Sequence, residues 1–341
     1  MTPRMIRKGF SFILHARLEN VMAVGVSAVL LALFLGTHSM HSFNLGVLDF
    51  IFILLPVGIL GVKCLLELLL APESEDGKNF DAMNYLAAFF RPLLKIFRDW
   101  FPFLLLSACY YSLYDNLIMR VNPHLADAAL ARIDGFIFGN QPSFLLQASI
   151  RPWLTDFLYA IYFSHVCVFP GVALYFYLKK EEPAFRRIMM GFLTIMLMGI
   201  TSYILVPAVG PQTFFADQYT TDLRGQALSK SVDYIISVGR VGNDCFPSLH
   251  VGIPLLLCLY LRNYRRKLFI PALIYVALMC CATIYLRYHY FIDVAAAFAY
   301  APAAYFLNDF LLSRWPGERI SIASHQTKNE KATSATKGGQ T

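Results

Sequence analysis

Residues 268–286 read LFIPALIYVALMCCATIYL, a run of 19 residues without a charged side chain. A helix needs about 20 apolar residues to cross the hydrocarbon core of a bilayer. Basic residues stand at both ends of this run, at Lys267 and Arg287. The segment therefore predicts a membrane-spanning helix, and it sets the fold class that the rest of the chain has to match.

Seven further segments have a comparable apolar length. They are 21–37, 44–71, 100–118, 153–178, 188–207, 247–262 and 289–312. The composition agrees, because 57% of the residues are hydrophobic and only 15% are charged, whereas a soluble domain carries about 25% charged residues. We therefore predict an all-α, polytopic membrane protein with about eight transmembrane helices, and we exclude a soluble globular domain.

Lys and Arg are divided unevenly between alternate loops. Twenty-one of them lie before the first span, in 72–99, after the fourth and sixth spans and in the tail, and seven lie on the other side. Since basic residues concentrate in cytoplasmic loops, we predict that the protein lies in the cell (inner) membrane with both termini on the cytoplasmic side. The basic residues that give the net charge of +7 follow this topology and form no single basic face. We therefore predict no nucleic-acid partner.

The predicted organisation has three parts. Residues 1–75 form an N-terminal cytoplasmic segment and a two-helix hairpin, 76–312 form a catalytic six-helix membrane domain, and 313–341 form a disordered cytoplasmic tail. Within the second part, 78–98 predict an amphipathic helix that lies on the cytoplasmic surface.

Ionisable residues in or beside membrane spans are functional candidates, and the topology brings two groups of them to one depth. Pro247 is predicted to be the first residue of the sixth helix. Ser248 and His250 are then in the first turn of that helix. Two crossings later the chain reaches His289 and Asp293. His250 and His289 are therefore predicted to meet at the outer end of the spans.

The spacing of these residues predicts phosphoryl transfer through a phosphohistidine, without metal or cofactor. His289 and Asp293 are four residues apart and share a helix face, and a carboxylate beside an imidazole suits a nucleophile or base. His250 is then the acid and afterwards the base. The helix start and further side chains are predicted to bind phosphate. These side chains are Ser248, Arg287 and Arg240.

The two motifs resemble a known family. Pro247–Ser–Leu–His250 and His289–Tyr–Phe–Ile–Asp293 are similar to the second and third signatures of the type 2 phosphatidic acid phosphatase superfamily. More closely, they resemble its inositol phosphorylceramide synthase (aureobasidin-resistance, inositolphosphotransferase) branch, over roughly 120–305. The resemblance implies that His289 is the nucleophile, Asp293 its orienting partner, His250 the acid and base, and Ser248 a phosphate contact.

Several positions depart from the superfamily pattern. The first signature, a lysine seven residues before Arg–Pro, is absent, and Thr283 replaces an arginine six residues before the histidine nucleophile. Leu249 stands where phosphatases usually have glycine, and Gln212 stands where related sequences often have arginine. These departures argue against an ordinary phosphatase, yet they leave transferase and phosphatase open.

The resemblance favours transfer of a phospho-headgroup, phosphoinositol-like, from a phospholipid donor to ceramide or another lipid alcohol at the extracytoplasmic leaflet. The first alternative is a lipid phosphate phosphatase with water as acceptor, acting on phosphatidic acid or an isoprenyl diphosphate. The second is a non-catalytic transporter or scaffold. The sequence identifies no protein partner.

Single residues also have structural interpretations. Ser248 is a possible helix cap, and Arg287 a possible snorkelling side chain. Arg240 is a possible solvated loop residue. A structural hydrogen bond between helices is favoured over catalysis for His165.

Overall fold

The computed structural model describes residues 17–36, 54, 57–63, 65–66, 82–226 and 242–315, leaving aside the side chains of 34, 82–89 and 111–116. Within these ranges the regular secondary structure is helical, apart from an isolated bridge between Ala208 and Asp244. The all-α fold class is confirmed. The α-helices are α1 (Leu18–Gly36), α2 (Ala82–Val121), α3 (Asp127–Phe138), α4 (Pro142–Leu145), α5 (Pro152–Leu178), α6 (Glu182–Leu205), α7 (Pro211–Phe214), α8 (Leu249–Tyr264), α9 (Arg266–Tyr285) and α10 (Phe291–Arg314).

Four helices are long and apolar enough to cross a membrane, namely α5, α6, α9 and α10. A shorter apolar stretch, Leu18–Leu33, lies in α1. These helices match the predicted spans 153–178, 188–207, 268–286, 289–312 and 21–37. The predicted span 44–71 and the tail from 316 lie largely outside the described residues, and so does the loop 227–241.

The predicted surface helix 78–98 and the predicted span 100–118 are wrong as separate elements. The described part of the first, from residue 82, and all of the second belong to the 40-residue helix α2. At 1.5 Å per residue α2 is about 60 Å long, roughly twice the hydrocarbon thickness. Charges near Asp99 indicated a boundary, but they are compatible with a continuous helix because Lys95 Nζ lies 2.7 Å from Asp99 Oδ2 one turn along.

Helix α8 is the centre of the bundle. It packs against α5, α6, α9 and α10, and most of its side chains are buried on all sides. A helix that is apolar all round belongs in a protein interior, which explains why 16 residues suffice for it. The predicted start at Pro247 is wrong by two residues, since Ser248 is the extended N-cap and the helix begins at Leu249.

Candidate active site

Two carboxylates of α3 fix the backbone that carries the third motif. Asp134 accepts hydrogen bonds from the backbone N–H groups of Phe291, at 2.6 Å, and Ile292, at 3.0 Å. Because first-turn donors have no acceptor within their own helix, this carboxylate satisfies the start of α10. Burial raises the pKa of Asp134, and the two backbone donors partly offset that rise.

Asp127, on the same face of α3, holds the neighbouring loop. Its carboxylate accepts hydrogen bonds from the backbone of Val209 and Gly210, at 3.0 and 2.9 Å, and from the Tyr290 hydroxyl at 2.9 Å. The segment around Gly210 is thereby tied to the residue that precedes α10. Helix α3 therefore positions two sides of the site.

The structure brings the two predicted histidines together. His250 lies in the first turn of α8, and His289 lies two residues before α10. The Nδ1 atom of His250 is 3.2 Å from the Nε2 atom of His289, and the ring of His289 is only 3% exposed. Residues 39 positions apart thus share one hydrogen bond.

The contacts of His289 assign its tautomer. Its Nδ1 atom lies 2.9 Å from the backbone carbonyl oxygen of Cys245. A carbonyl only accepts, so Nδ1 carries the proton and Nε2 keeps its lone pair. His250 then donates its Nδ1 proton to that lone pair.

Asp293 is a second and longer partner of His289. Its Oδ2 atom is 3.4 Å from His289 Nδ1, while the same oxygen accepts the Tyr290 backbone N–H at 2.8 Å. The orienting contact that the sequence predicts for Asp293 is therefore shared with the Cys245 carbonyl. Asp293 Oδ1 is buried without a hydrogen-bond partner among the described residues.

Cys245 was not among the predicted site residues, and its thiol completes this cluster. Its Sγ atom lies 3.0 Å from Asp293 Oδ2 and 3.3 Å from the Tyr288 carbonyl oxygen. Burial raises the pKa of Cys245 well above its ordinary value, and the Asp293 carboxylate raises it further. The thiol is therefore protonated and donates to Asp293.

Cys245, His289 and Asp293 also have the residue types of a metal site, with ligand atoms within 4.8 Å of one another. A cysteine binds metal as a thiolate. Here the protonated thiol donates to the carboxylate, and His289 Nδ1 donates to a carbonyl. The donor set as arranged fits a hydrogen-bond network rather than a metal, and we derive no step through a metal.

Ser248 stands at the start of α8 with its side chain buried. It is the N-cap residue of α8, yet its side chain makes no capping hydrogen bond. Its Oγ atom is buried and has no partner in the described part of the chain. The capping interpretation is therefore right for the position and wrong for the side-chain hydrogen bond, which leaves the hydroxyl able to bind an oxyanion.

Arg287 is buried and faces the loop after α7. Its Nη2 donates to the Thr221 carbonyl oxygen at 2.6 Å, and the guanidinium stacks 3.7 Å from the ring centroid of Tyr219. Its Nε–H is buried without an acceptor within the described ranges. Burial lowers the pKa of Arg287. The snorkelling interpretation does not fit these contacts. Arg240, the other predicted cation, lies outside the described residues.

A strained turn sets the position of His289. Arg287 has a φ of 67°, a left-handed conformation that is uncommon for any residue except glycine. The Thr283 carbonyl closes this turn by accepting the N–H groups of Tyr288, at 3.0 Å, and His289, at 3.2 Å. Strain of this kind persists where the surrounding structure enforces it and is concentrated at functional sites.

The sequence also missed two aromatic partners of His250 on α5. The ring of Tyr162 stacks on His250 with centroids 4.4 Å apart and planes at 21°, and the ring of His165 lies 4.3 Å away at 45°. Tyr162 and His165 are separated by one helical turn, so that α5 holds the His250 ring from two positions. His165 therefore makes a contact between helices, as the structural interpretation expects, and its partner is the ring of His250.

The departure at Leu249 has a steric explanation. Its buried side chain packs on Gly199 of α6, where a Cβ atom would come within 2.5 Å of Leu249 Cδ1. The missing side chain at Gly199 thus makes room for the leucine beside His250. A leucine in the second motif is compatible with close packing of α6 and α8.

These features define a class of protein: a helical membrane protein whose paired histidines, with a carboxylate one turn along, meet at one end of the bundle. A profile described as the PAP2 superfamily matches residues 128–307, which is more than half of the chain. The chain belongs to the PAP2 superfamily, which typically comprises lipid phosphatases and phosphotransferases. The superfamily resemblance is confirmed, while this match gives no support to the inositol phosphorylceramide synthase branch. Searches of curated proteins and of solved structures return no match.

Proposed function

We propose that the protein is a lipid phosphotransferase that works through a phosphohistidine. It moves a phospho-headgroup, phosphoinositol-like, from a phospholipid to a lipid alcohol at the extracytoplasmic leaflet. The observation that carries this proposal is the 3.2 Å contact between His250 Nδ1 and His289 Nε2, with the proton of His289 held on Nδ1 by the Cys245 carbonyl.

In the first half-reaction the Nε2 lone pair of His289 attacks phosphorus, and the bond from phosphorus to the diacylglycerol oxygen breaks. His250, as an imidazolium, gives its Nδ1 proton to that leaving oxygen. The phosphorylated ring of His289 is cationic, because Nδ1 keeps its proton. The Cys245 carbonyl and Asp293 then stabilise that charge through the contacts already described.

In the second half-reaction the hydroxyl oxygen of the acceptor attacks phosphorus, and the bond from phosphorus to His289 Nε2 breaks. The hydroxyl proton passes to His250, which is neutral after the first step. Both histidines return to their starting states, so the cycle needs no further proton donor.

Charge on the non-reacting phosphate oxygens needs donors that are in place before the reaction. The buried Ser248 hydroxyl and the Arg287 Nε–H, both without partners among the described residues, are suited to this role. The first-turn amides of α8 are suited to it as well. Arg240 stays a prediction from the sequence.

Burial of the site favours an alcohol over water as the acceptor. Ser248, His289 and Asp293 are almost completely buried in the protein alone, before any lipid is present. A dry site limits hydrolysis of a reactive intermediate, whereas a lipid alcohol reaches it from the membrane. Membership of the superfamily keeps the lipid phosphate phosphatase as the second candidate.

The proposed topology has eight spans, with both termini in the cytoplasm and the histidines on the other side. Salt bridges support this arrangement, since Arg17 pairs with Asp99 and with Glu182. The residue before α1 is thereby joined to α2 and to the start of α6 at one end of the bundle. The three-part domain division remains part of this proposal.

The decisive experiment incubates the purified protein in vesicles with phosphatidylinositol labelled in its phosphate, with and without ceramide. We expect a labelled product lipid that forms only with ceramide, and none with the H289A variant. Release of water-soluble inositol phosphate without a new lipid would refute transfer. A parallel reaction with phosphatidic acid tests the phosphatase, and addition of a chelator tests metal independence.

A further inference from the structure

Helix α3 has an inverted distribution of polarity. The face turned towards the protein holds the two carboxylates Asp127 and Asp134, both fully buried, together with Leu130 and Ala131. These carboxylates are partnered by backbone N–H groups and a tyrosine hydroxyl. The two carboxylates of this helix therefore point inwards.

The opposite face of α3 is apolar and exposed. Phe136 is 91% exposed, and Ile133, Ile137 and Phe138 are between 40% and 50% exposed. Arg132 is the charged residue on this side. A helix on the surface of a soluble protein has the reverse arrangement, so this face requires an apolar environment.

The position of α3 identifies that environment. Asp134 caps the first turn of α10, a candidate membrane span, so α3 lies level with the end of that span. The Phe138 ring lies 4.8 Å from the ring of Phe291 at the start of α10, and Leu145 and Trp153, which follow α3 along the chain, are also exposed apolar residues. The apolar face therefore borders the candidate span α10, and exposed apolar side chains lead along the chain to the candidate span α5.

We propose that the outward face of α3, formed by Ile133, Phe136, Ile137 and Phe138, docks into the acyl region of the leaflet at the histidine end. Arg132 then reaches the phosphates of the headgroups. Insertion of this face holds Asp134 against the start of α10 and so fixes the backbone next to His289. The inference goes beyond the proposed function, and its first test does not depend on catalysis.

The first test uses Phe136→Trp in a background with Trp153→Phe and Trp315→Phe, which leaves the buried Trp100. The variant is reconstituted in phosphatidylcholine vesicles with or without bromine on one acyl chain. We expect bromine to remove about half of the added emission, because a docked face lies within the acyl boundary. The background protein serves as the control. Unquenched, red-shifted emission from the F136W variant would overturn the docking.

The second test compares Phe136→Asp with Phe136→Leu in the same vesicles. An ionised side chain is costly in the bilayer, so we expect F136D to lose about fivefold or more in turnover while F136L stays close to the parent. Full turnover of F136D would overturn the link to His289. If the protein shows no transferase or phosphatase activity, the proposed function fails, and the quenching result still decides the docking.

Discussion

The two ends of the bundle partner their buried charged groups differently, with ion pairs at one end and mainly backbone groups at the other. Opposite the histidines, the buried Asp99 carboxylate accepts hydrogen bonds from several donors. They are Arg17 at 2.7 Å, Lys95 at 2.7 Å, Arg98 at 3.0 Å and Tyr177 at 3.1 Å. Nearby, Arg186 Nε lies 2.7 Å from Glu19 Oε1. These charges join α1, α2 and α6 and have the character of structural pairs.

At the histidine end, three buried polar atoms lack a partner among the described residues. They are Ser248 Oγ, Arg287 Nε and Asp293 Oδ1. A buried polar group without a hydrogen bond costs about 1–3 kcal/mol of stability, so a ligand that supplies partners to these atoms would recover that free energy. Asn20 Oδ1, Trp100 Nε1 and Asn308 Oδ1, near the Asp99 end, are also buried without a hydrogen-bond partner among the described residues. The comparison therefore teaches that neither buried charge nor an unpartnered polar atom alone distinguishes the site, and that unpartnered groups directly beside the paired histidines do.

The largest effect is expected from His289→Ala, which removes the proposed nucleophile. Turnover should fall by a factor on the order of 10⁴ or more, since no other group can form the covalent intermediate. The measurement is initial rate together with trapping of labelled phosphoenzyme by a denaturing quench at alkaline pH, where phosphohistidine is stable. His124→Ala, at an exposed position, is the control. Labelled phosphoenzyme in H289A would place the nucleophile elsewhere.

His250→Ala should have the next largest effect, because it removes the proposed acid and base. We expect turnover to fall by about 10²–10⁴. A phospholipid donor whose leaving group is more acidic needs less protonation by His250. In the first half-reaction, H250A should therefore lose less turnover with that donor than with the ordinary one. Equal losses for both donors would show that His250 does not protonate the leaving group.

His165 gives a smaller, more specific test of the histidine end. If its ring positions His250, His165→Ala should lower kcat about tenfold with little change in KM, whereas His165→Phe should retain most of kcat. Steady-state kinetics on both variants separates these outcomes. Comparable loss in the phenylalanine variant would point to a role for the imidazole nitrogens instead.

Much of the fold could be predicted from the sequence because its determinants are local. Apolar length and flanking charge predict spans such as 268–286 without knowledge of packing. Counting two crossings between His250 and His289 was enough to put them on one face. The error at α2 arose because the basic residues of 72–99 resemble a loop between spans, whereas Lys95 and Arg98 pair with Asp99 along a continuous helix.

The contacts that define the chemistry could not be predicted in the same way. The Cys245 carbonyl that holds the His289 proton is a backbone group, and its position depends on the path of the 242–248 loop. The contact between the rings of His165 and His250 depends on how α5 packs against α8. The contact between Arg287 and Thr221 joins segments 66 residues apart. Such contacts depend on tertiary structure, and no local pattern specifies them.

The smallest effect on turnover is expected from Asp99→Asn, at the opposite end of the bundle. Loss of the carboxylate leaves Arg17, Lys95 and Arg98 without their shared partner, and since Lys95 and Arg98 are half exposed the loss should be about 1–3 kcal/mol of unfolding free energy. Burial alone would raise the pKa of Asp99, but Lys95, Arg17 and Arg98 together hold it below its ordinary value. Because the pKa of this carboxyl is lower in the folded than in the unfolded state, its ionised form stabilises the fold at pH values above the unfolded-state pKa. This stabilisation is lost as the pH falls through the folded-state pKa, below about 4. Thermal unfolding in detergent should therefore show a deficit in D99N at neutral pH that shrinks in acid, with turnover per folded molecule unchanged. A loss of turnover comparable to that of H250A would mean that the two ends are coupled, and the contrast between a structural and a functional end would then fail.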